Sequence, residues 1–105
     1  MTTFDKREEG FERKFALDEE LKFKAEARRN RLLGLWAAGK LGITGDAAVG
    51  YANETVASAF AESGEKAVVA RVAADLSAKG VTEDVIRAQM TDLMAQAVAQ
   101  LRAEK

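Results

Sequence analysis

Few residues of this chain could perform covalent or metal chemistry. The 105 residues include no Cys and no His, so the chain has no thiolate nucleophile, no imidazole base and neither of the usual zinc ligands. Zinc hydrolases, thiol proteases and Ser-His-Asp hydrolases are therefore excluded. Three consecutive acidic residues, Asp18, Glu19 and Glu20, would diverge around a helix. They favour the start of a helix over a metal site.

One stretch has the spacing of a phosphate-binding loop. Residues 34–40, GLWAAGK, combine two glycines and a lysine as that loop does. However, Leu41 stands where Ser or Thr must hold Mg²⁺, and no predicted strand precedes the stretch. Leu32, Leu35 and Trp36 have helical spacing, so the backbone amides would already be bonded within a helix. We expect a helix here and no phosphate loop.

A cluster of basic residues could bind an anion. Residues 22–31 contain five basic residues and one acidic residue, whereas the whole chain has 16 basic and 17 acidic residues. Since nucleic-acid modules usually carry a net basic charge, we expect no nucleic-acid partner. A helical module that binds nucleotide or nucleic acid through this basic face remains the alternative function. The candidate anion-binding residues are Lys22, Lys24, Arg28, Arg29 and Arg31.

Arg28 also lies on the predicted apolar stripe of its helix. Two explanations remain open at this point. Either its aliphatic stem covers the core while the guanidinium reaches water, or it pairs with a carboxylate such as Asp75 or Asp92.

The composition favours helices as the elements that carry the basic and acidic residues described above. The chain has 21 Ala, the residue with the highest helix propensity, and no Pro, the residue with the lowest. Helical tracts are predicted over residues 20–40, 46–62 and 64–79, and Gly80 closes the third tract. A fourth tract is capped by Thr82 and runs towards residue 105. Short links between four helices predict an all-α, antiparallel four-helix bundle over residues 20–105. The predicted inward residues are Leu21, Ala25, Leu32, Leu35, Trp36 and Gly39; Val49, Ala52, Val56, Ala59 and Phe60; Val68, Val69, Val72, Ala73 and Leu76; and Ile86, Met90, Leu93, Ala97 and Leu101.

The N-terminal segment, residues 1–19, differs from the rest of the chain. Ten of its nineteen residues are charged, which predicts disorder when it is alone. If the first helix continued backward, Phe4, Phe11 and Phe15 would form one stripe, about 100° from the leucine stripe that the bundle uses. Such a stripe fits a helix that folds against another protein. The alternative is that these Phe residues cover the bundle or belong to a frayed terminus.

No part of the sequence predicts a signal peptide or a membrane helix, because no apolar run approaches 18 residues. We expect a cytoplasmic location and no direct membrane insertion.

Three stretches of the sequence resemble one known family. They are MTTFDKREEGFERKF at the start, KFALDEELKFKAEARRNRLLGLWAAGKLG over residues 14–42, and VVARVAADLSAKG over residues 68–80. They are similar to the zeta subunit of the alphaproteobacterial F-type ATP synthase. The resemblance implies a four-helix protein, not an enzyme, that inhibits ATP hydrolysis with a mobile N-terminal segment. It also implies peripheral association with the membrane through the synthase.

The resemblance further implies how the N-terminal segment acts. It would enter a catalytic interface between the alpha and beta subunits, next to gamma, and form a helix continuous with the first helix of the bundle. Phe4, Phe11 and Phe15 would anchor it, and Arg7, Arg13 and Lys14 would pair with acidic groups on the rim. Gly10 would cost about 1 kcal/mol in such a helix, which is compatible with weak inhibition, and the sequence leaves the strength of inhibition open.

Two expectations concern small molecules and pH. The resemblance implies weak adenine-nucleotide binding to the bundle, with the basic residues 22–31 as the candidate surface, and no other cofactor. Since the chain has no His, we expect that imidazole protonation in this protein does not control inhibition.

Overall fold

The structure is a computed structural model that describes residues 18–61 and 64–104. It contains four α-helices within these residues: α1 (Glu19–Leu41), α2 (Gly45–Ala61), α3 (Glu65–Leu76) and α4 (Glu83–Ala103). A 3₁₀ turn, Ser77–Lys79, follows α3, and the described ranges contain no strand. The predicted all-α fold is confirmed, and the helix ends agree with the predictions to within a few residues.

Capping residues explain where α3 and α4 meet. The Thr82 side chain accepts a hydrogen bond from the backbone N–H of Val85 at 3.3 Å, which caps α4. Just before it, Gly80 has φ of +74°, a left-handed conformation that closes the 3₁₀ turn. Both roles were predicted from the sequence and are confirmed.

The core consists of two clusters that both include α1. The larger one joins Leu33 and Ala37 of α1 to α3 and α4, through Val68, Val69, Val72, Leu76, Ile86, Met90 and Leu93. The smaller one joins Ala25 of α1 to Met94 and Val98 of α4, with Leu101 packed against it. Because α1 shares its most extensive contacts with α2 and α4, it is the central helix of the bundle.

The predicted inward residues of α3 and α4 are largely confirmed. Val68, Val69, Val72 and Leu76 are buried, and Ala73 is partly buried. In α4, Ile86, Met90, Leu93 and Ala97 are buried as predicted, Leu101 is partly buried, and Met94 and Val98 are buried in addition.

The inward face of α1 was only half predicted. Of the predicted residues, Ala25 is buried and Leu21, Leu32, Leu35 and Trp36 are partly buried, but Gly39 is exposed. A second buried face was missed, which consists of Asn30, Leu33, Gly34, Ala37 and Ala38. The helix therefore packs on two sides, because neighbouring helices lie against both faces.

The α2 prediction needs a similar correction. Ala52 is buried as predicted, but Val49 is 42% exposed and Thr55 is buried in the interior. Val56 and Ala59 are half-buried, and the side chain of Phe60 lies outside the described residues. Thr55 is tolerated in the interior because its hydroxyl donates to the carbonyl of Tyr51 at 2.9 Å.

Gly34 marks the closest approach of α1 and α2. A Cβ atom on Gly34 would lie 2.6 Å from the Cα atom of Ala52 and 2.9 Å from Oγ1 of Thr55. These distances are far shorter than van der Waals contact, so only a residue without a side chain fits here. The crossing of α1 and α2 depends on this glycine.

Polar side chains join α2 to α3 on the outside of the bundle. Arg71 of α3 donates to Oε2 of Glu54 at 2.9 Å, and its guanidinium lies over the ring of Tyr51, 5.4 Å from the centroid. The Tyr51 hydroxyl donates to Oδ2 of Asp75 at 2.7 Å. Burial, together with this bond to Asp75, raises the pKa of Tyr51 well above its usual value.

Candidate functional site at the start of α1

The predicted partner-binding residues lie outside the described residues. These are Phe4, Arg7, Phe11, Arg13, Lys14 and Phe15. The structure does describe the point where they join the bundle, namely the first turns of α1 and the groups that hold them. The geometry of that junction defines the candidate site.

Asp18 fixes the first residue of α1. Its backbone is extended, with φ of −83° and ψ of 175°, and its side chain accepts a hydrogen bond from the backbone N–H of Leu21 at 2.7 Å. Its carbonyl accepts the first helical bond, from the N–H of Lys22 at 2.8 Å. Glu19 and Glu20 follow in the first turn, where negative charge favours the helix dipole. The expectation that these three acidic residues start a helix is confirmed.

The last turn of α4 holds the first half of α1 in place. The guanidinium of Arg28 donates to both carboxylate oxygens of Glu104, with Nη2 at 3.1 Å from Oε1, and Nη1 lies 3.4 Å from Oε1 of Gln100. Of the two explanations for Arg28, pairing with a carboxylate is correct. The suggested partners were wrong, because the end of α4 lies beside this part of α1, and Asp75 accepts from Tyr51 instead.

The pairing of Arg28 with Glu104 affects acid stability. The hydrogen bond from Arg28 lowers the pKa of the Glu104 carboxyl below its ordinary value of 4.5. A carboxyl with a lowered pKa in the folded state stabilises the fold above its unfolded pKa, and this contribution disappears as the pH falls through the folded pKa.

We therefore predict a pH-dependent effect of Glu104→Gln. The variant should have a lower melting temperature than the wild-type chain at pH 7, and this difference should shrink as the pH falls below about 4.5, the ordinary pKa of the glutamate carboxyl. Thermal unfolding at several pH values, with Asp92→Asn as a control at an exposed position of α4, measures the difference. A melting-temperature difference that stayed constant from pH 7 to pH 2 would contradict the prediction.

The five basic residues proposed to bind anions do not form a single face. At 100° per residue, Lys24, Arg28 and Arg31 lie on one side of α1, and Lys22 and Arg29 lie about 140° away. Lys24 pairs with Glu20 at 3.0 Å, and Arg28 pairs with Glu104. The positive charge of residues 22–31 is thus divided between two sides and partly neutralised.

Arg29 lies in a more enclosed environment than the other basic residues. Its Nε and Nη2 atoms each lie 3.2 Å from Oδ1 of the buried Asn30. Burial lowers the pKa of Arg29, and the charges of Glu65 and Glu26 oppose that shift. A cavity of about 310 Å³ lies beside it, lined by Phe23, Glu26, Ala27, Arg29, Asn30, Ala59, Gly64 and Glu65. The two carboxylates offset the guanidinium, so the cavity has no excess of positive charge.

Residues 18–61 and 64–104 contain no group of three or more acidic side chains placed to hold a metal ion. The stretch that resembles a phosphate loop, residues 34–40, lies within α1, as predicted. Among the described helices, none is both long and apolar enough to cross a lipid bilayer.

These features define a small all-α protein in which α1 is capped at Asp18 and paired with the end of α4 through Arg28. The chain belongs to the ATPase inhibitor subunit zeta family, since the sequence model of that family matches residues 1–100. This confirms the family that the sequence resembles. Members of an ATPase inhibitor family are regulatory proteins.

The fold has a solved relative. A solution NMR structure is 48% identical in sequence to this chain, and the match covers 81% of this chain and 99% of the other, with a TM-score of 0.72. A search of curated proteins finds no match.

Proposed function

We propose that the protein inhibits ATP hydrolysis by the F-type ATP synthase, and that its N-terminal segment is the inhibitory element. Membership of the ATPase inhibitor subunit zeta family supports the inhibitory role. The observation that carries the assignment to this segment is the junction at Asp18. There a segment whose sequence is rich in charge and places three Phe residues at helical spacing joins a helix whose first half is held against α4.

The segment inhibits as a wedge. It enters a catalytic interface between the alpha and beta subunits, next to gamma, and becomes a helix continuous with α1. A helix in that cleft blocks the closing motion that hydrolysis requires. Phe4, Phe11 and Phe15 fill apolar pockets, while Arg7, Arg13 and Lys14 pair with carboxylates at the edge of the cleft.

The bundle limits how far the segment enters. The described part of the chain, residues 18–61 and 64–104, measures 36 × 34 × 23 Å, whereas one helix with its side chains is about 10–12 Å wide. A cleft that admits one helix therefore excludes the bundle, which stays outside as a stop. The protein associates with the cytoplasmic side of the membrane only through the synthase in this proposal.

Deletion of residues 2–17 tests the assignment directly. Joining Met1 to Asp18 keeps the cap of α1, so the shortened chain should unfold within a few degrees of the full chain. ATP hydrolysis by the purified catalytic sector of the cognate synthase is titrated with each chain. The full chain should inhibit, and the shortened chain should not inhibit even at 100-fold higher concentration. A 100-fold excess would reveal a residual affinity up to about 2.8 kcal/mol weaker, because each 1.4 kcal/mol of binding free energy changes the affinity about tenfold.

Two results would contradict the proposal. Equal inhibition by both chains would place the inhibitory surface on the bundle. No inhibition by either chain would leave a folded family member without inhibitory activity.

Weak adenine-nucleotide binding is a second candidate function. The cavity beside Arg29 is the candidate site, with the half-buried guanidinium at a phosphate and Phe23 at the base. Glu26 and Glu65 on the same lining repel a phosphate, so the binding is expected to be weak. Titration with ATP should shift the NMR signals of Asn30 and Gly64, and Arg29→Gln should remove the shifts while Arg31→Gln retains them. Shifts confined to other residues would exclude this site. Binding of nucleic acid to α1 is disfavoured, because Glu20 and Glu104 already pair with Lys24 and Arg28.

A further inference from the structure

The cap on α1 exists only if the helix begins at Glu19. In the described structure the extended backbone of Asp18, with ψ of 175°, stops the helix from continuing towards the N-terminus. Its side chain then accepts from the N–H of Leu21 at 2.7 Å, a group that has no helical acceptor in a helix that starts here.

A helix that continues through residue 18 needs a different arrangement at the same place. The ψ angle of Asp18 must rotate to about −42°, and the N–H of Leu21 must donate to the carbonyl of Leu17. The Asp18 carboxylate then has no role as a cap. Glu19 and Glu20, which favour the dipole at a helix start, come to lie in the helix interior, where that benefit is lost.

The two helix starts therefore compete. The cap bond from Leu21 to Asp18 and the negative charge of Asp18 at the helix start stabilise the helix that begins at Glu19. Neither contribution is available in the continuous helix. Aspartate is also a poorer residue in a helix interior than glutamate or alanine.

We infer that Asp18 sets the affinity of the protein for its partner, because its cap must open before residues 1–17 join α1. This inference rests on the proposed function, in which the N-terminal segment becomes continuous with α1. Asp18 acts as a positioning residue. It weakens inhibition and keeps the bundle separate from the segment until the partner supplies the compensating contacts.

Two substitutions separate the cap from the charge. Asp18→Glu keeps the negative charge but replaces a preferred cap by a good helix-interior residue. Asp18→Asn removes the charge but keeps a cap of equal preference. Both are made in the full chain and titrated against ATP hydrolysis by the catalytic sector.

Opposite outcomes are expected for the two variants. Asp18→Glu should lower the half-inhibitory concentration about fivefold, the equilibrium effect of losing a typical cap. Asp18→Asn should stay within about twofold of the wild-type chain, since its cap is equivalent. In the free chain, the Leu21 amide should exchange with solvent faster in Asp18→Glu than in Asp18→Asn.

Two results would overturn the inference while leaving the proposed function intact. One is an unchanged half-inhibitory concentration for Asp18→Glu when the wild-type chain inhibits. The other is stronger inhibition by Asp18→Asn alone, which would assign the effect to charge.

A wild-type chain that does not inhibit would contradict the proposed function itself. The inference is then decided in the free chain by the Cα chemical shifts of Phe15, Ala16 and Leu17. These shifts should be more helical in Asp18→Glu than in Asp18→Asn, and equal shifts would overturn it.

Discussion

Replacing Gly34 by Ala should destabilise the bundle by about 1–3 kcal/mol, the range expected when a well-packed contact is overpacked. The added methyl group would lie 2.6 Å from the Cα atom of Ala52, a backbone atom that cannot move without the whole of α2. The two helices would have to separate, and contacts made by neighbouring core residues would weaken with them. The higher helix propensity of Ala, about 1 kcal/mol, offsets only part of this loss.

The same helix supplies a matched control. A Cβ atom on Gly39 would meet nothing within 4 Å, so Gly39→Ala should stabilise the fold by about 0.5–1 kcal/mol. Urea unfolding of both variants, compared with the wild-type chain, measures the two free energies of unfolding. If Gly34→Ala were as stable as the wild-type chain, the result would contradict the close approach of α1 and α2 at Gly34.

Replacing Phe4, Phe11 and Phe15 together by Ala should weaken inhibition at least 100-fold. Aromatic anchors in interfaces contribute about 2 kcal/mol or more each when they fill a pocket, so the loss of three exceeds this factor even if their contributions are not additive. The bundle should remain as stable as in the wild-type chain, because the proposal places no Phe of the segment in its core. The measurements are ATP hydrolysis by the catalytic sector and the melting temperature of the free protein.

Val49→Ala is the control for this triple substitution. Val49 is an apolar residue of α2 and is 42% exposed, so its truncation removes apolar surface outside the N-terminal segment. It should leave inhibition unchanged. If the triple variant instead melted at a clearly lower temperature and still inhibited, the Phe residues would cover the bundle, which is the alternative that the sequence left open.

The sequence predicted the faces of α3 and α4 because their buried residues are large and apolar. Val68, Val72 and Leu76 follow helical spacing, and Ile86 and Met90 do the same in α4. Such side chains give a periodic signal that polar neighbours do not interrupt. The start of α1 was also predictable, since Asp18 and the two glutamates after it are typical of a capped first turn.

The second face of α1 gave no such signal. Asn30, Gly34, Ala37 and Ala38 are buried because another helix approaches closely, and small residues permit that approach without being strongly apolar. The partner of Arg28 was equally hidden, because Glu104 lies 76 residues away in sequence and only the packing of α1 against α4 brings them together. The contacts of the N-terminal segment stay predictions.

The pairing of Arg28 with Glu104 also decides where the protein tolerates a label. Because the end of α4 lies beside the first half of α1, residues 18 and 104 mark the same end of the bundle. A bulky affinity tag fused next to Glu104 would therefore stand beside the first half of α1, at the end of the bundle that faces the synthase in the proposed mode of inhibition. The turn between α1 and α2, residues 42–44, lies at the opposite end, so a fluorophore attached there would report binding without obstructing it.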